Sequence, residues 1–167
     1  KDGAFGDATI IDHKYSRGVG VVKFDQEVSN TYSAFKGCST LRGIIIPNSV
    51  THIDPYSFQG CINLTIATLP ETLKTIGEYA FHDCHKLSHT NIPNGVTAIK
   101  AHAFSCCRSI ENISIPNGIQ TIEERAFYGC SQLTNITIPN SVATIESMAF
   151  YGCVTLPTIS VPKGLTT

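Results

Sequence analysis

Apolar residues recur along this chain at fixed spacing. Between Leu133 and Thr155 the fixed apolar series is Leu133, Ile136, Ile138, Pro139, Val142, Ile145, Ala149, Phe150 and Cys153, with mostly polar or small residues between. The alternation that ends in Ile136 and Ile138 predicts a short strand, and Pro139 stops it because proline has no N–H to give to a ladder. Pro followed by Asn and then Ser or Gly, as in Pro47-Asn48-Ser49, Pro93-Asn94-Gly95 and Pro116-Asn117-Gly118, predicts a tight turn. Val142 and Ile145 then predict a second short apolar segment, and Met148 to Cys153 a compact return.

That unit repeats every 23 residues. Phe35, Phe58, Phe81, Phe104, Phe127 and Phe150 share the step, as do Cys38, Cys61, Cys84, Cys107, Cys130 and Cys153. Pro47, Pro70, Pro93, Pro116, Pro139 and Pro162 follow it too. A unit this short cannot bury its own apolar stripe, so units must stack, with strands paired in parallel about 4.8 Å apart along one axis. A repeat solenoid, mainly β, is the expected fold, and identical side chains should form ladders along it.

The pattern I-x-I-P…V…I…A-F…C resembles the leucine-rich repeats of the BspA-like class over residues 21–167, about six units. It departs from the commoner leucine-rich repeat, in which Asn or Cys follows the strand. The resemblance implies a right-handed coil with parallel strands on one face and irregular or helical return segments. It also implies a non-catalytic module of the kind found in large cell-surface proteins of bacteria and some parasitic protists that attach to host or matrix proteins. Residues 1–20 are expected to be a degenerate flank or partial repeat, in which Ala4-Phe5-Gly6-Asp7-Ala8 echoes a unit's tail. The first unit, Val21 to Lys36, is itself imperfect, with Val28 one residue out of step. Since the last unit stops at its Val position, Leu165, the chain is expected to be a piece of a longer array, whose apolar ends favour self-association.

Charge narrows the partners. With 12 Lys+Arg against 13 Asp+Glu and no basic cluster, neither nucleic acid nor an anionic membrane surface is an expected partner. No apolar run approaches the roughly eighteen residues of a membrane span. A protein partner is the expectation, at the cell surface or in the secreted medium; the alternatives are an intracellular scaffold and a spacer with no ligand of its own.

Candidate chemistry is sparse. The six in-register cysteines read as a buried, reduced ladder of small hydrophobes, while Cys106 lies outside it where later units have Gly129 and Gly152. His82, Asp83, Cys84, His85 and His89 are the densest group of potential metal ligands, but the repeat places His89 on the next strand. Neither a metal site nor a cofactor is therefore expected. Glu123-Glu124-Arg125 reads as a solvated charge cluster, and no nucleophile motif is present, so an enzyme is not expected. The strand face is the better candidate. Its outward positions are expected to be Thr65 and Thr68, Ser88 and Asn91, Asn112 and Ser114, Asn135 and Thr137, and Thr158 and Ser160, a ladder of small hydroxyls and amides suited to hydrogen-bonding a partner. Glycosylation sequons at Asn63, Asn112 and Asn135 fall on or beside it.

Overall fold

The computed structural model describes residues 10–16, 19–24 and 31–165. Two strands, β1 (Ile10–Ser16) and β2 (Val19–Phe24), pair antiparallel as a hairpin that straddles the boundary expected at residue 20. The Ala4–Ala8 echo and Val28 lie outside the described residues.

Beyond the hairpin, five successive units each contribute two short strands among the described residues. The first series is β3 (Gly43–Ile45), β5 (Ile66–Thr68), β7 (His89–Thr90), β9 (Asn112–Ser114) and β11 (Asn135–Thr137). The second is β4 (His52–Ile53), β6 (Thr75–Ile76), β8 (Ala98–Ile99), β10 (Thr121–Ile122) and β12 (Thr144–Ile145). Pairing is parallel at a register of one repeat, with Ala67 beside Thr90 and Asn112 beside Asn135. The chain turns between the two series at the proline corners, where Val50, Leu73, Val96, Ile119 and Val142 each donate their backbone N–H to the carbonyl of the proline three residues back.

The returns form no helix among the described residues. Each is a run of i→i+3 turns, such as Gln59 N to Tyr56 O and Cys61 N to Phe58 O, interrupted by left-handed residues. Two positions per unit have positive φ, for example Tyr56 at 62° and Gly60 at 72°, and a helix cannot run through them. The turned backbone instead aims N–H groups along the axis. Tyr56, Phe58 and Gly60 donate to Glu78, Ala80 and His82, and this third hydrogen-bonded ladder repeats in the following units.

The ladders enclose one apolar core. Phe58, Phe81, Phe104 and Phe127 are fully buried, with successive rings 5.0–5.6 Å apart and nearly parallel. Leu64, Leu73, Ile76, Leu87, Ile99, Ile110, Ile119 and Leu133 complete it.

Continuity fails at one level. No strand pairing joins β7 to β9 or β8 to β10 among the described residues, so both strand ladders break between the third unit and the fourth. The return ladder carries on across the gap through His102 N to Glu124 O, Phe104 N to Ala126 O and Cys106 N to Tyr128 O. Thr90, at the break, stands where the first, fourth and fifth units have Ile44, Ile113 and Ile136, and its hydroxyl is buried without a partner. A small polar side chain there thins the core layer and gives the strand above little to pack on. Glu123 bridges the break on the other side. Its carboxylate accepts the backbone N–H of Ala101 at 2.9 Å and pairs with the Lys100 ammonium at 2.8 Å.

Candidate binding face

The strand β5 shows how the face is built. Ala67 points inward and is buried, whereas Ile66 and Thr68 point out. Carried by the repeat, the outward rows are Ile66, His89, Asn112, Asn135 and Thr158 in one line, and Ile45, Thr68, Asn91, Ser114, Thr137 and Ser160 in the other; all are exposed. Two expected members fall off this face. Thr65 and Ser88 sit one residue early, where the hydroxyl turns along the axis instead of outward. Thr65 Oγ1 donates to the Arg42 carbonyl at 2.8 Å, and Ser88 Oγ lies 2.8 Å from His89 Nδ1. The outward residues of those units are Ile66 and His89, which the alternation alone would have located had it been counted from the buried Ala67.

The remaining polar side chains are unengaged. Among the described residues, those of Thr68, Asn91, Asn112, Ser114, Asn135, Thr137, Thr158 and Ser160 make no hydrogen bond within the chain. Strands fix the backbones of Thr68, Asn112, Ser114, Asn135 and Thr137, so pairing these five with a partner orders only short side chains. At one end the face is apolar, with Ile45 67% and Ile66 45% exposed. Over the small residues Ala67 and Thr90 the surface dips into a shallow concavity lined also by Ile66, Thr68, His89 and Asn91. An apolar patch, a dent and rows of hydrogen-bonding groups therefore share one surface. Of the sequon residues, Asn112 and Asn135 stand on it. Asn63 does not, since its amide donates to the Ser39 carbonyl and its oxygen accepts from Lys86.

A family model for a BspA type leucine rich repeat region of six copies matches residues 97–167, and the 23-residue register carries the same pattern back to Leu41. Residues 97–167 are BspA-type leucine-rich repeats. A leucine-rich cell surface protein from Faecalibacterium prausnitzii is similar at 26% identity with a TM-score of 0.80, over 99% of this chain and 49% of its own length. A leucine-rich repeat protein of T. pallidum is similar at 27% identity with a TM-score of 0.66, over 87% of this chain and 65% of that one. One from Bacteroides ovatus shares the fold at 23% identity and a TM-score of 0.62, over 94% of this chain and 53% of that one. The chain thus spans less than two thirds of each of these structures. Among curated proteins none matches. Leucine-rich repeats of this type are in general binding modules for proteins, not enzymes.

Away from the face, the BspA-type repeat absorbs most of the reactive side chains. Cys61, Cys84, Cys107 and Cys130 are buried, and all seven cysteines are free. Burial raises the Cys61 thiol to about 12 and that of Cys153 to about 11, and holds Cys84, Cys107 and Cys130 well above the usual thiol range. Glu124 pairs with its neighbour Arg125 at 2.8 Å, as Glu123 does with Lys100, so the charge cluster is engaged in surface ion pairs. No helix among the described residues is long and apolar enough to cross a membrane.

The return face carries features that apolar periodicity does not reveal. Tyr56, Tyr79 and His102 occupy one left-handed position in successive units, with ring centroids 5.3 and 4.3 Å apart. Burial first, then the charges of Arg125 and His82, lowers the His102 pKa. Beside that ladder, His82, Asp83 and Cys106 converge, although His89 stands apart on β7 and Cys84 is buried in the core.

Proposed function

We propose that this chain is the ligand-binding part of a cell-surface or secreted protein that attaches to host or extracellular-matrix proteins, and that the strand face makes the contact. The observation that carries this reading is the double row of unengaged Asn, Ser and Thr side chains along the strand face, adjoining the exposed Ile45 and Ile66 and the concavity over Ala67 and Thr90. Rows of this kind recognise a protein by hydrogen bonds to its backbone and polar side chains, and the apolar end adds burial. The likeness to a leucine-rich cell surface protein supports an exterior location. The scattered charge supports a protein partner over a polyanion.

Protease shaving of intact source cells, followed by mass spectrometry of the released peptides, tests the location. Release from intact cells is expected. Protection until lysis would remove the adhesive reading and leave an intracellular scaffold. The purified chain is then expected to bind at least one member of an immobilised panel of collagen, laminin and fibronectin, and to bind it saturably.

A further inference from the structure

The second of the two left-handed positions in each return is filled by glycine at Gly37, Gly60, Gly129 and Gly152, with φ between 68° and 79°. Two adjacent units break that rule. Asp83 and Cys106 hold the same backbone geometry, at φ 59° and 60°, where a side chain costs roughly 1–2 kcal/mol per residue for most residue types. Since 83 and 106 differ by one repeat, their side chains project from neighbouring levels on the same line. His82 stands beside Asp83, and one donor atom from each of His82, Asp83 and Cys106 lies within 4.8 Å of the other two. The Asp83 carboxylate is the centre of the group, with Oδ2 3.2 Å from His82 Nε2 and Oδ1 3.3 Å from His85 Nε2.

We propose that His82, Asp83 and Cys106 form a binding site for a divalent transition metal of the zinc type, which clamps the second repeat unit to the third. Imidazole, carboxylate and thiolate together are a ligand set for a borderline metal ion, whereas calcium and magnesium take oxygen. The donor atoms need close in by only about an ångström to reach tetrahedral spacing around zinc. All three residues are partly exposed, so an ion can enter from solvent and the thiol proton can leave to it. Contacts already orient the imidazole. The His82 ring meets Tyr79 edge-on at 5.3 Å and His102 edge-on at 6.3 Å. Its Nδ1 is buried with no hydrogen-bond partner, while Nε2 faces the Asp83 carboxylate. The fourth position is open to His85, which already lies on the far oxygen of Asp83. Elsewhere along the ladder the equivalents of His82 and His85 include Gln59, Tyr128, Ile62 and Val154, so the ligand set occurs at this level alone.

The test is a cobalt(II) titration of the reduced 167-residue chain, read by absorbance. The expected result is one ion per chain with a thiolate-to-cobalt charge-transfer band, abolished by an equivalent of zinc. Cys106→Gly and Asp83→Gly restore the residue that other units carry, so both variants are expected to fold, with thermal melts at or above that of the parent. Cys106→Gly should remove the band, and each variant should weaken zinc binding by more than the roughly 10–100-fold that loss of a supporting partner costs. A parent chain with no band under excess cobalt would overturn the proposal. So would a band that survives in Cys106→Gly, because another thiol would then be its source.

Discussion

The Cys107 thiol donates a hydrogen bond to the backbone carbonyl of Phe81, 3.1 Å away in the preceding unit. The same bond runs from Cys61 to Phe35, Cys84 to Phe58, Cys130 to Phe104 and Cys153 to Phe127. A thiol at this position therefore fills core volume and also gives a second hydrogen bond to a carbonyl that already closes an i→i+3 turn, which neither Ala nor Val could do.

These thiols make the fold alkali-sensitive. Their folded pKa values are raised by burial, so above a pH of about 9 the unfolded chain loses thiol protons that the folded chain keeps. Stability is thus fully present below that pH and falls as pH rises toward the folded values of about 11 for Cys153 and about 12 for Cys61. Denaturant melts between pH 8 and 11, in reductant, should show a decline that shrinks when Cys107 and Cys130 are replaced by Ala. An unchanged slope in that variant would count against the assignment.

Removing a ring from the aromatic column should be costly. Phe104 is fully buried between Phe81 and Phe127, at 5.3 and 5.6 Å. Phe104→Ala leaves a cavity that neighbours on two levels line, and about 3–5 kcal/mol of stability should be lost. Stacked units share their interfaces, so the loss should spread to adjacent repeats. Equilibrium denaturation measures it; a loss under about 1 kcal/mol would show that the layer collapses into the space.

The break between the third and fourth units should be where the solenoid opens. Amides of Glu111, Asn112 and Gln120 face a level with no strand pairing, whereas Phe104 and Cys106 are held in the return ladder. Native-state hydrogen exchange should find the first three exchanging well before the other two. Equal protection on both sides of the unit would mean that the break is closed in solution.

Much of this was legible from period alone. The spacing of Phe, Cys and Pro implied the stacking, the corners at Pro47 to Pro139 and the buried columns, because a fixed apolar pattern has only one way to bury its stripe. The outward face was legible except at Thr65 and Ser88, where alternation was counted through the loop that precedes the strand. That both ladders break above Thr90 depends on backbone positions that the side-chain pattern does not encode. The cluster of His82, Asp83 and Cys106 was missed for another reason. Along the chain Cys106 is remote from Asp83, and only the 23-residue step places the two on neighbouring levels.

The claim that the strand face binds a protein is tested most directly by changing that face alone. Asn112→Lys, Ser114→Lys, Asn135→Lys and Thr137→Lys, combined in one chain, place bulky like charges on exposed positions of two paired strands and leave the buried Ile113 and the half-buried Ile136 in place. Surface plasmon resonance against the matrix panel, beside a thermal melt showing that the variant folds, gives the answer. At least a tenfold loss of affinity, a difference of about 1.4 kcal/mol, is predicted for whichever panel member the parent chain binds. Undiminished binding by the folded variant would contradict the account and move the contact to another face of the solenoid.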